Sequence, residues 1–208
     1  MDGVHGPLGF CDMDREGLLI EGFNKLSTII TIYNYPYYQE FLGKCGYQKD
    51  VDWVEFEINV PAQIPARLQK IADLALNNTG LRIVQVKKTK EILPYADGVF
   101  ELLNEAYGKL YGVVFLTGEQ IKKYIKQYFS FLVPDYIKIL VDKDDKVAAF
   151  GISLPSLSIA LKKSKGRLFP FGFIHILQAL KKNDLFYLCL IAVRQDFKNK
   201  SCSRNHYH

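Results

Sequence analysis

The sequence offers little to a metal. It has four cysteines, Cys11, Cys45, Cys189 and Cys202, scattered with no CxxC pair, and four histidines whose spacing fits no ligand set. Free thiols in a reducing compartment are the plain reading, and no metal is expected. Long apolar runs are also missing: no stretch reaches the roughly 18 residues of a membrane span, and Met1-Asp2-Gly3 opens no signal peptide. These absences point to a cytoplasmic protein with no membrane partner. Charge of one sign is modest as well. The formal net charge is +5 with a pI near 8.9, which suits an anionic ligand but is too diffuse to argue for nucleic acid.

Apolar material is present in ordinary amount. At 49% hydrophobic and 24% charged over 208 residues, the chain can bury a core. Residues 1–60 are rich in glycine and aromatics. "MDGVHGPLGF" reads as a short strand entering a turn, and "DMDREGLLIEGFN" as a polar loop, because the ligand spacing of a calcium loop fails at Arg15 and Gly17. Pro36 to Lys44 reads as a short helix, and "VDWVEFEINV" at 51–60 as a half-exposed strand. A break at Pro61 precedes a helix stopped by Gly80. "LRIVQVKK" is a strand, and two helices follow, the second opened by the Thr117/Gln120 capping box. Residues 136–142 and 147–153 form a hairpin around a charged turn. Two helices near 155–164 and 172–182 lead to a strand over 185–193. A mixed α/β class follows, with α+β character in its sheet.

The order from residue 81 onward resembles the front of the GNAT superfamily of N-acetyltransferases. The hairpin "DKDDKVAAFGI" is similar to that family's, and "LIAVRQDFKNKSCS" resembles its central strand end and acetyl-CoA loop, with Val193, Asp196, Phe197 and Lys198 at matching places. "YPYYQEFLGKCGYQKDVDWVEFEI" is similar to the family's last helix and closing strand. The resemblance implies an acyl-CoA N-acyltransferase-like fold, incomplete here. Residues 1–60 would be the C-terminal part of a first domain, 61–80 a connecting helix, and 81–208 the N-terminal part of a second, truncated after its central strand. It implies acetyl transfer from acetyl-CoA to an amine, small-molecule or peptide, with Ile191, Val193, Lys198, Asn199, Lys200, Ser201 and Ser203 holding the co-substrate. Backbone N–H groups at such a strand end cradle phosphates, and glycine lets the backbone come close.

The chain departs from that pattern in two places. Ser201 and Ser203 stand where the family has glycines, so acetyl-CoA binding is expected to be impaired. Leu42 stands where the family often has a proton-donating tyrosine, so no residue is assigned a catalytic role. "SCSRNHYH" reads as foreign to the fold. The competing reading is a non-catalytic binding module or pseudoenzyme fragment, self-associating through an exposed strand edge. To cover that edge, the strands of residues 1–60 are expected beside 185–193. Among other candidates, Tyr33, Tyr35, Tyr37 and Tyr38 read as packed around Pro36, Glu101 and Glu105 as an exposed helix face, and His175 as a half-exposed helix position. "LKKSKGR" and "LKKND" read as basic helix ends, with phosphate or RNA binding as their sharper alternative.

Overall fold

The computed structural model describes residues 3–9, 11, 13–128 and 132–198. Its centre is a four-stranded antiparallel sheet in the order β1-β2-β3-β4, with β1 Arg82–Ile83, β2 Ile137–Val141, β3 Val147–Pro155 and β4 Phe186–Val193. The mixed α/β class and the hairpin with 186–193 beside it are therefore observed. β2 alternates as sequence alternation requires, Ile137, Ile139 and Val141 facing inward. Val147 to Phe150 of β3 are buried without alternation, as expected of a strand covered on both faces. Burying side chains such as Phe150 and Ile139 stabilises the fold by about 1.5–3 kcal/mol each.

Helix α3, Leu93–Tyr107, lays Val99, Leu102 and Leu103 on the sheet. It sits close because Gly98 lacks a side chain: a Cβ there would lie 2.9 Å from Val147 Cγ2. Helix α4, Gly118–Tyr128, begins with the expected capping box. Gln120 N–H donates to Thr117 Oγ1, and Thr117 N–H to Gln120 Oε1. Asn104 locks the loop between the two helices by pairing with both the N–H and the C=O of Leu116, each at 3.0 Å. Helices α5, Ser158–Lys163, and α6, Gly172–Lys181, pack on each other between β3 and β4, and α7, Gln195–Lys198, follows β4.

The N-terminal third departs from expectation. Helices α1, Tyr37–Lys44, and α2, Ala66–Thr79, form as predicted, and α2 stops at Gly80 in the left-handed region (φ +66°). Residues 51–60, however, join no ladder, nor do the described residues of 1–10. Alternation alone does not make a strand when neither face has a surface to bury against. Phe56 and Ile58 are accordingly 79% and 80% exposed. Nothing in residues 18–80 enters the core cluster or packs against it, whereas Cys11 enters it and Met13 packs against it. The accessible surface is 16317 Å²; a compact monomer of 23.8 kDa exposes about 9,900 Å². The expected pairing of residues 1–60 with β4 is not observed among the described residues. The N-terminal segment docks instead on α4, where Cys11 Sγ lies 3.1 Å from Tyr124 Oη. The strand over 81–88 is also shorter than expected: after Ile83, only the Val84 N–H to Ile139 O bond continues the ladder.

Candidate functional site

β4 is an edge strand with one irregularity. Ile152 pairs with Leu190 and Ser153 with Leu188, so Cys189 is the extra residue of a β-bulge. Bulges concentrate at sheet edges and beside functional sites, where they re-aim the backbone. C-terminal to this bulge, Ile191, Ala192 and Val193 border an open cleft of about 420 Å³, closed elsewhere by Ala106, Tyr107, Leu110 and Lys198. That volume is in the range of small-molecule sites. The structure thus gathers three of the expected co-substrate residues, Ile191, Val193 and Lys198, on one cleft. Asn199, Lys200, Ser201 and Ser203 lie outside the described residues.

Two residues that sequence reasoning passed over shape the cleft. Tyr107, in the last turn of α3, donates its phenol to Ile191 C=O (3.1 Å) and accepts from Ile191 N–H (3.3 Å). It therefore occupies backbone groups that an added strand or an extended ligand would use. No sequence signal reveals this, since the two residues are 84 positions apart. Arg194 is the other. Its guanidinium binds Asp142 Oδ2 at 2.7 Å and Asp196 Oδ1 at 2.9 Å and lies 4.9 Å from the Phe197 ring centroid. Asp142 also accepts from Asp144 N–H and Lys146 N–H, so it joins the β2–β3 turn to the end of β4. The Arg194 guanidinium holds the Asp142 carboxyl below the usual carboxylate range, helped by those two backbone donors. This clamp fixes where α7, and with it Lys198, leaves the sheet. The Arg-x-Asp spacing is a partial sequence signal for it.

A second titratable cluster adjoins Leu110 along the chain. His5 Nδ1 is 3.0 Å from Asp50 Oδ2 and 3.2 Å from Tyr111 Oη, and Tyr111 donates to the same carboxylate oxygen. The Tyr111 hydrogen bond, then that of His5, lowers the Asp50 pKa, and the Asp50 carboxylate raises that of Tyr111. An aspartate on Nδ1 is the arrangement that leaves Nε2 to handle a proton. Cys189 is a poor nucleophile: burial pushes its thiol up to about 11.

The remaining described sequence candidates do not line the cleft. Glu101, Glu105 and the tyrosines are exposed, with Tyr35, Tyr37 and Tyr38 stacked ring on ring, and His175 is half-buried on α6. No group of three or more potential metal ligands occurs among the described residues, and no helix among them is long and apolar enough to cross a membrane.

No family model matches the chain. It is 25% identical over 179 residues to Protein YghO of Escherichia coli strain K12, covering 86% of this chain and 45% of that protein. It is 24% identical over 180 residues to the bacterial ceramide synthase of Caulobacter vibrioides strain NA1000 / CB15N, covering 85% of this chain and 45% of that protein. The chain thus spans less than half the length of these curated relatives.

Proposed function

We propose that this chain carries the acyl-donor side of an N-acyltransferase of GNAT type, with a coenzyme A thioester held along β4. The observation that carries this reading is the cleft at the bulged edge of β4, with Lys198 at its rim and Tyr107 holding the Ile191 backbone groups that a ligand would compete for. A strand edge suits an amide-bearing arm, and a lysine suits its phosphate end. The name of the Caulobacter relative supports the chemistry, since making a ceramide joins an acyl group to an amine. In such a step the amine nitrogen attacks the thioester carbonyl. The C–N bond forms, the C–S bond breaks, the thiolate takes up a proton, and a base removes the proton from nitrogen. The high pKa of Cys189 favours direct transfer over an acyl-cysteine at that position. We assign the base to His5, oriented by Asp50.

With serines at the glycine positions, the expected affinity is weak, with a Kd of roughly 0.1–1 mM for acetyl-CoA. Calorimetric titration of the chain tests this. Saturable binding that is lost in Lys198→Glu supports the reading, and no binding of acetyl-CoA or CoA overturns it. In a turnover assay with a panel of long-chain amines, His5→Gln should lower kcat while leaving the acetyl-CoA Kd unchanged.

A further inference from the structure

We infer that the α5–α6 hairpin is a docking surface for a bilayer of anionic phospholipid. The segment between Asp145 and Asp184 contains no acidic residue. Within it the hairpin carries Lys162, Lys163, Lys165, Arg167, Lys181 and Lys182, six cations that exceed the net charge of the whole chain, and all are exposed. The turn between the helices is apolar at its tip: Phe169 is 80% exposed and Phe171 70%. Exposed apolar residues continue along α6, where Phe173, Leu177 and Lys181 fall four apart on one face. An exposed aromatic tip beside clustered lysines is the pattern of a surface that lies in the membrane interface, rings among the acyl chains and cations at the headgroups.

The tip is held in shape while exposed. Gly166 N–H bonds Leu161 C=O, Phe173 N–H bonds Leu168 C=O, and Ile174 N–H bonds Phe171 C=O. Gly172 allows the turn to fold back on its helix, since a Cβ there would meet Arg167 O at 1.7 Å. The base of the hairpin is anchored by a buried network in which Tyr187 Oη lies 2.7 Å from Ser156 Oγ and 3.0 Å from Ser158 Oγ. A presented wedge of this kind needs no folding transition to insert. The hairpin leaves the sheet at Pro155 and Phe186, the opposite end of β4 from the cleft, whose nearest lining residue, Ile191, is about 17 Å away along the strand. Docking there leaves the cleft accessible, so this inference stands independently of the acyltransfer reading. A protein or a second copy would need acidic groups to match six cations and apolar surface to cover the tip. A nucleic acid supplies the charge, but a duplex keeps its bases stacked and gives the phenylalanines nothing to enter, and a single strand stacking on the two rings would leave the exposed apolar face of α6 in water. Anionic lipid supplies both.

Co-sedimentation of the full chain with vesicles tests the inference, using phosphatidylcholine alone and phosphatidylcholine with phosphatidylglycerol in roughly a 7:3 ratio. Binding is expected only to the anionic vesicles and should weaken at least about tenfold when salt is raised to roughly 0.5 M. Phe169→Ser/Phe171→Ser, which removes two mostly exposed rings, should lose at least about tenfold in partitioning with an unchanged circular dichroism spectrum. Phe169→Trp in a Trp53→Phe background should shift its emission to the blue on anionic vesicles. Equal binding to both vesicle types, or binding to neither, overturns the inference. So does a concentration-dependent dimer abolished by the double serine variant, or salt-sensitive binding of single-stranded RNA that the same variant abolishes.

Discussion

The phenolic oxygen of Tyr107 bridges the peptide N–H and C=O of Ile191, so a side chain of α3 caps the outer edge of β4 where a further strand would otherwise pair. An uncapped edge invites pairing with another chain. Tyr107→Phe removes the cap without changing the apolar part of the ring. Stability should fall by about 1 kcal/mol. Hydrogen exchange at the Ile191 amide should accelerate, and the affinity for acetyl-CoA should rise if the phenol and the ligand compete for the same backbone groups. An unchanged exchange rate at Ile191 would show that the bridge does not form in solution.

Asp142→Asn tests the clamp on β4. Asp142 has a lowered pKa in the folded protein, so its ion pair stabilises fully above the unfolded aspartate value of about 3.9 and fades as pH falls below it. The wild-type chain should melt above the variant at neutral pH, and the gap should close on acidification below roughly pH 4. A gap that persists unchanged into strong acid would mean that charge is not what Asp142 contributes.

Thiol accessibility reports the docking of the N-terminal segment. In a Cys202→Ser background, one cysteine should label fast with a disulfide reagent, the exposed Cys45. Cys189 should be slow because burial pushes its thiol up to about 11, and Cys11 slow because it is 2% exposed beside Tyr124. A second fast thiol identified as Cys11 would show that residues near it do not rest on α4.

Two glycines of the α5–α6 turn should separate by mechanism. Gly172→Ala places a methyl against Arg167 O and should cost of order 1–3 kcal/mol, with faster proteolysis in the turn. Gly166→Ala meets open space and bears only the strain of its left-handed backbone (φ +73°), about 1 kcal/mol. Equal losses, read from denaturant midpoints, would contradict the crowding at Gly172.

Local chemistry alone determined much of this protein. The 137–155 hairpin follows from two β-rich runs, the first alternating, around an Asp-rich turn whose Asp142 side chain gathers the backbone N–H groups. The capping box at Thr117 and the stop at Gly80 are equally local, and both were legible because their partners lie within four residues. Ile191, Val193 and Lys198 are named by the resemblance of one short stretch to an acetyl-CoA loop, and being close in sequence they fall on one cleft.

Only the tertiary structure decided the rest. Residues 51–60 alternate as a strand does, yet alternation fixes structure only when one face has something to bury against, and here neither does. Tyr107 reaches Ile191 across 84 residues, and Arg194 reaches Asp142 across 52. Contacts that distant depend on how α3 settles on the sheet, through the gap left at Gly98, and no periodicity encodes them. The hairpin cations and phenylalanines were visible as letters. That the rings stand outside, beside the charges rather than beneath them, required the fold, because an apolar run reads the same whether a core or a bilayer is meant to receive it.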